Sequence, residues 1–375
     1  MADGKKINNF RERLTVLIVP LNWGLGHITR CIPIIRILQT LNCELILAAD
    51  ENGILLLRKE FPDIIFLSLS GSRIRYSRNR KSLVFKIVLQ LPKLIINISK
   101  EKRWLKNIIN IYEPDVIISD NRPGICSNDI ISIYITHQLA IKTGNLLLDK
   151  IATKIHNSFI RKYDQCWVPD FKNNGLAGDL SHPKKLQSNA IYLGALSRFE
   201  NLRVSAKIYD LLISISGPEP QRTIFENMIF NQLKNYKKKV LIVRGLPADN
   251  KKIKSSNPFV EIINHLPSTD LNSAFIQSDM IICRSGYTTI MDLVKINKQA
   301  ILVPTPGQAE QEYLAEYLMK TKVFFSVKQT DFLLEDAISK AADFPFEKRN
   351  HNMANYKKII AEFVHSVKAG NFENR

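Results

Sequence analysis

Five cysteines in 375 residues are few, odd in number and widely spread: Cys31, Cys43, Cys126, Cys166 and Cys283. No two form a Cys-x-x-Cys pair, so neither a disulfide framework nor a zinc site is indicated. A reducing, cytoplasmic setting is the expectation. No uninterrupted apolar stretch approaches the ~20 residues that span a bilayer. The short apolar run near the N-terminus lacks a small-residue cleavage site and reads as a strand, not a signal peptide. Acids are scarce: 35 Asp and Glu stand against 53 Lys and Arg, a formal net charge of +18. Nucleic acid, an anionic membrane surface and phosphorylated substrates are the partner classes such a balance admits. No Walker-type Gly-Lys-[Ser/Thr] ending and no Asp-x-Asp pair occurs.

What the chain does have is β-branched runs alternating with longer helix-like segments. The strand candidates are 14–19, 44–48, 64–69, 115–119, 131–135 and 164–168, then 210–215, 239–243, 259–263, 279–283 and 299–303. They are continuously apolar, the pattern of parallel strands covered on both faces. The series occurs twice, which predicts two Rossmann-like domains. The expected division is 1–198 and 199–349, with a linker near 192–207 and a C-terminal helix in 350–375 packing back on the first domain. Pro33 interrupts the first helix candidate and predicts a kink or a late start.

Ligands of open parallel sheets bind beyond the carboxyl ends of the strands. Polar residues gather at nearly every one of those ends. The run "NWGLGH" brings Gly24, Gly26 and His27 after the first strand. Its histidine sits near a helix N-terminus, where the dipole favours a neutral ring able to take a proton. Asp120 and Asn121, then His137 and Gln138, follow later strands. Ser216 and Gly217 open a helix containing Arg222, whose first amides can cradle phosphate; Arg244 and His265 end the next two strands. The most specific stretch is 283–318, where Arg284, Ser285 and Gly286 precede Asp292, and a Pro-Gly loop precedes Gln308, Gln311 and Glu312. A carboxylate set like Asp292 can accept both hydroxyls of a ribose. It would lie on a helix surface, so its loss should spare the fold.

Residues 283–318 resemble the donor-binding region of GT-B glycosyltransferases of family 28, whose members include the enzyme adding N-acetylglucosamine to lipid I in peptidoglycan synthesis. The resemblance covers most of the chain and implies an α/β architecture of two Rossmann-like domains facing across a cleft. It implies a ribose contact at Asp292, where the lipid I enzyme has glutamate, and a sugar contact at Gln311. Glu312 departs from a second glutamine. The glycine turn matches Gly24, Gly26 and His27, the diphosphate loop matches Ser216 and Gly217 loosely, and the uracil contact falls near His265 and Leu266. On the acceptor side Gln138 matches and His137 departs.

The combined expectation is an inverting glycosyltransferase that moves a sugar from a nucleotide-diphospho-sugar, most simply a UDP-sugar, to a hydroxyl acceptor. The base is His27 or Asp120. Ser216, Gly217, Arg222 and Arg244 would cradle the leaving diphosphate, with no metal and no cofactor. The alternatives are a nucleotide-sugar hydrolase of the same fold, which the "GLGHITR" run also resembles, and a nucleic-acid-binding protein, for which no recognition motif is present. Segment 73–106 carries eleven basic residues against the single acid Glu101, interleaved with apolar ones. It reads either as a core helix with a charged outer face or as an anchor to the inner face of the cytoplasmic membrane, serving a lipid-linked acceptor.

Overall fold

A computed structural model describes residues 12–22, 24–69, 83–202 and 206–372, with 83–94 as backbone only. The first domain holds β1 (Thr15–Pro20), α1 (Leu25–Thr40), β2 (Glu44–Ala49), α2 (Glu51–Glu60), β3 (Ile65–Ser68), α3 (Leu83–Tyr112), β4 (Val116–Asp120), β5 (Ile131–Ile135), α4 (Leu146–Ile160), β6 (Gln165–Val168) and β7 (Ala190–Tyr192). The second holds β8 (Tyr209–Ser214), α5 (Gln221–Gln232), β9 (Val240–Val243), β10 (Val260–Ile263), α6 (Ser268–Ile276), β11 (Ser278–Cys283), α7 (Tyr287–Lys295), β12 (Ala300–Leu302), α8 (Ala309–Lys320), β13 (Phe325–Ser326) and α9 (Leu334–Ala342). Helix α10 (Asn355–Lys368) closes the described chain.

All eleven predicted runs are strands. They form two parallel sheets, in the orders β3-β2-β1-β4-β5-β6-β7 and β10-β9-β8-β11-β12-β13. The most completely buried strands lie innermost: β4 is buried at every residue, and β1 at every residue but its first. The sequence pattern passes over β7 and β13, which have three and two residues at sheet edges. So short a run carries no readable period.

Both sheets turn their strand carboxyl ends to the space between the domains. Register places Pro20 beside Asp120 and Asp120 beside Ile135, so the residues that follow β1, β4 and β5 meet at one edge. Helix α1 starts at Leu25 and continues through Pro33, which excludes a late start. One apolar cluster runs through both domains, joining Ile32 and Ile35 to Phe275, Ile290 and Met291. Helix α10 returns to the first domain. Phe363 meets Trp167 edge-on at 5.3 Å, and Lys368 Nζ donates to Leu41 O at 3.0 Å.

Segment 73–106 divides. Arg73, Arg75, Arg78, Arg80 and Lys81 lie outside the described residues. From residue 95 onward, Leu105 and Ile108 are buried against the first sheet, while Lys100, Lys102, Arg103 and Lys106 are exposed. This half is a core helix with a basic outer face, yet it also exposes Ile95 and Ile96.

Ile360 is fully buried in the cluster that ties α10 to the first domain. Ile360→Ala is expected to cost about 2–5 kcal/mol of stability, the range for deleting a buried aliphatic side chain. The midpoint of urea unfolding measures it.

Candidate active site

Gly24 precedes α1 with φ of +125°, a conformation that side-chain-bearing residues rarely adopt. Gly26 answers a different need. A Cβ there would stand 3.2 Å from Thr288 Oγ1, which donates to Gly26 O at 3.0 Å from the second domain. The two glycines let the chain turn out of β1 and let α7 come close, and they leave His27 in the first turn of α1 facing the cleft.

His27 Nδ1 is 2.9 Å from Asp120 Oδ1. Asp120, the last residue of β4, has no solvent exposure. Burial alone would raise its pKa, but the Arg30 guanidinium and His27 overrule it and hold the carboxyl at about 2. Arg30 Nε donates to Asp120 Oδ2 at 2.5 Å, and Arg30 Nη2 binds Oδ1. The His27 pKa is lowered, first by burial and then by Arg30, against the pull of Asp120. The ring is thus neutral at ordinary pH. Of the two predicted base candidates, only His27 is free to take a proton, because both oxygens of Asp120 are bound by a cation.

The cluster extends across the cleft. Arg30 Nη1 reaches His137 Nδ1 at 3.2 Å, and His137 Nε2 meets Glu310 Oε1 at 2.8 Å. Gln138 Nε2 donates to Glu310 Oε2 at 2.5 Å. Tyr287 of α7 stacks on His137 with ring centroids 4.2 Å apart. His137 and Gln138 therefore face the second domain, while Asn121, half-buried, takes a left-handed φ of 53° beside Asp120. Two members of the cluster are not among the sequence-predicted residues. Arg30 lies one helical turn after His27, a signal available in "GLGHITR". Glu310 lies between Gln308 and Gln311, but nothing local reveals its partner 173 residues away.

In the second domain several expectations need correction. Arg222 and Arg244 do not offer free charge to a diphosphate. Both bind Glu226, Arg222 through Nη2 at 2.9 Å and Arg244 through Nε at 2.6 Å. Glu219 and Asp249 add a further carboxylate to each. Arg284 is fully buried. It lies over the Phe225 ring at 4.2 Å and donates to the carbonyls of Gln221 and Val303. Burial lowers its pKa to about 10, against a smaller opposing effect of Cys283. Asp292 is not a surface carboxylate: it is 1% exposed. Ser197 Oγ donates to its Oδ1 at 2.7 Å, and Arg198 Nε to its Oδ2 at 3.2 Å. Its side chain holds the interdomain segment to α7.

Other predicted residues shape the rim of the cleft. Ser216 and the exposed Gly217 sit between β8 and α5, and Gly286 caps α7. Ser285 Oγ donates to Gln311 O at 2.8 Å. Gln311 accepts from Thr305 N at 3.0 Å, and its amide NH₂ reaches Gln308 Oε1. Glu312 accepts from Gly307 N at 3.0 Å. These side chains build the Pro-Gly loop. His265, half-buried, has its pKa lowered to about 4 by burial, then by Arg198 and Lys59, and Leu266 is half-buried beside it. Among the described residues, no group of three or more His, Cys, Asp or Glu could hold a metal ion.

Residues 221–368 match the glycosyltransferase family 28 C-terminal domain. Over that stretch, less than half of its length, this chain is similar to the family. Its relatives include proteins of Rickettsia canadensis and Histophilus somni, each named UDP-N-acetylglucosamine–N-acetylmuramyl-(pentapeptide) pyrophosphoryl-undecaprenol N-acetylglucosamine transferase. The first is 25% identical over 292 residues, 72% of this chain and 78% of that protein. The second is 25% identical over 335 residues, 85% and 86% of the two chains. Among solved structures, the MurG of Acinetobacter baumannii superposes with a TM-score of 0.53 at 13% identity, over 95% of this chain and 100% of that one. A glycotransferase of kitacinnamycin superposes with a TM-score of 0.62 at 12% identity, over 96% and 97%. The fold is GT-B: two parallel-sheet α/β domains, with the stretch that matches family 28 starting in the second.

Two outcomes follow from the corrected geometry. Asp292→Ala strips Ser197 and Arg198 of their acceptor, so it is expected to destabilise the fold by about 1–3 kcal/mol, visible as a lower denaturation midpoint even without nucleotide. Asp120 has a folded pKa held below its ordinary value of 3.8. Its contribution is therefore fully present above that value and is lost as pH falls towards 2. On the order of 2 kcal/mol separates the two limits. The stability difference between wild type and Asp120→Asn should shrink across that window, as acid titration monitored by circular dichroism would record.

Proposed function

We propose that the protein is an inverting, metal-independent glycosyltransferase that transfers N-acetylglucosamine, or a closely related sugar, from its UDP conjugate to a lipid-linked hydroxyl acceptor at the inner face of the cytoplasmic membrane. The observation that carries the reading is the His27–Asp120 pair, held at the floor of the cleft opposite the Arg-Ser-Gly and Pro-Gly loops of the family 28 domain. The names of the relatives supply the donor and the type of acceptor.

The acceptor hydroxyl oxygen attacks the anomeric carbon from the face opposite the diphosphate. As the new C–O bond forms, the hydroxyl proton passes to His27 Nε2, while Nδ1–H stays on Asp120. The bond from the anomeric carbon to the diphosphate oxygen breaks, and UDP leaves with the electron pair. Since Arg222 and Arg244 are neutralised by Glu226, Glu219 and Asp249, stabilisation of that growing charge falls to the amides of Ser216 and Gly217 and to the first turn of α5. Asp292, Gln311, Gln308 and Glu312 would receive the ribose and the sugar once their present partners let go.

Support for a lipid-linked acceptor comes from the surface of the first domain. Helix α4 exposes Leu146, Leu147, Ile151 and Ile155 at helical spacing, with Lys150 and Lys154 among them. An apolar stripe flanked by lysines suits the interface of an anionic leaflet. No described helix is long and apolar enough to cross a membrane. The reading is therefore of peripheral attachment through α4, α3 and segment 73–82.

The test is transfer of radiolabelled N-acetylglucosamine from its UDP conjugate to undecaprenyl-pyrophosphoryl-N-acetylmuramyl-pentapeptide in mixed micelles. Wild type should form the disaccharide lipid with inverted anomeric configuration. His27→Ala should lose about 10²–10⁴-fold in rate with UDP affinity unchanged. Sugar released without any acceptor would instead favour the hydrolase, and no thermal shift with UDP would sink the reading altogether. Separately, sedimentation with anionic liposomes should weaken when Leu147 and Ile151 are both changed to glutamate. Binding indifferent to that change and to lipid charge would remove α4 from the membrane surface.

A further inference from the structure

Arg30 is the most heavily engaged side chain in the cleft, and neither the family resemblance nor the His27–Asp120 pair calls for it. It is 2% exposed, on the second turn of α1. All three guanidinium nitrogens are engaged. Nε and Nη2 take the two oxygens of Asp120, Nη2 also approaches His27 Nδ1 at 2.7 Å, and Nη1 reaches His137 Nδ1. An arginine only donates, so His137 Nδ1 accepts and carries no hydrogen. The His137 proton is then on Nε2, directed at Glu310 Oε1.

The same rule creates a conflict at His27. Its Nδ1 faces both an acceptor, Asp120 Oδ1, and a donor, Arg30 Nη2. If the ring accepts from Arg30, its hydrogen moves to Nε2, and no hydrogen faces the acceptor Asp120 Oδ1. If the ring donates to Asp120, Nε2 is open for the incoming proton. A charge-assisted fork between guanidinium and carboxylate is stronger than a bond to a neutral ring. Arg30 therefore stays on Asp120, and the ring keeps the donating arrangement. The charged or titratable groups facing His27 are Arg30 from its own helix, Asp120 from β4 and Glu310 from α8; His137 lies behind Arg30, with Tyr287 of α7 stacked on it.

We infer that Arg30 is a positioning residue: it takes up the charge of Asp120 so that this carboxylate orients the His27 ring without drawing a proton onto it, and its grip depends on His137, which Glu310 of the second domain holds in place. Two consequences follow. The imidazole remains a free base at mildly acidic pH, where a histidine paired with an unshared carboxylate would already be charged. The arrangement is also complete only when the domains are closed, because the partner of His137 belongs to the family 28 domain.

This inference rests on the proposed base role only for its effect on turnover. The ring itself can be followed without any substrate. Full-length protein labelled with ¹⁵N-histidine, assigned with His27→Ala, reports both tautomer and titration by NMR. In wild type His27 should hold its hydrogen on Nδ1 and titrate below the ordinary histidine range. Arg30→Met should raise the midpoint by about one pH unit or more. Arg30→Lys, which keeps the charge but not the fork, should fall between them and cover the case in which the methionine variant does not fold. Asp120→Asn should shift the hydrogen towards Nε2. A folded Arg30 variant with an unchanged His27 midpoint, or an Nε2–H tautomer in wild type, would overturn the inference. If the ring behaves as expected but His27→Ala retains transfer activity, the base reading fails while the positioning role stands.

Discussion

Asp120 ends a strand buried at every residue, and its carboxylate has no contact with water. A bare charge there would cost several kcal/mol. Arg30 removes that difficulty by binding both oxygens, and the pair in turn organises everything around it. It orients His27, it reaches His137, and through His137 it meets the second domain at Glu310. The ion pair thus serves less as a source of stability than as a fixed point from which the cleft is built. Either partner alone would be a liability in that position.

The second domain uses its charges differently. Two arginines surround Glu226, and Arg284 is held by carbonyls and an aromatic ring. Arg222, Arg244 and Arg284 are therefore paired or buried. On the outer faces of α3 and α4, exposed lysines stand beside exposed isoleucines and leucines. Asp292, buried in α7, holds Ser197 and Arg198 of the connecting segment.

The parallel sheets, the glycine turn and the cleft position of His27, Asp120, His137 and Gln138 are legible in the sequence because each depends on short-range pattern. An apolar run of five residues reports a doubly covered strand, and a glycine after it reports a turn. The edge strands β7 and β13 fall below the length at which such a pattern exists. The roles of Arg222, Arg244, Arg284 and Asp292 were not legible in the same way. A charged residue near a strand end looks the same in sequence whether it faces a ligand or a partner from the same chain.

Sequence alone determined the two-fold repetition of the α/β unit, the edge at which polar groups collect, and the likeness of 221–368 to the family 28 C-terminal domain. Tertiary structure alone decided which charges remain free. Arg30 meets Asp120 across 90 residues, Arg198 meets Asp292 across 94, and His137 meets Glu310 across 173. The physical reason is that strand and helix patterns are set by neighbours along the chain, whereas an ion pair depends on the approach of two side chains that only the packed domains bring within 4 Å.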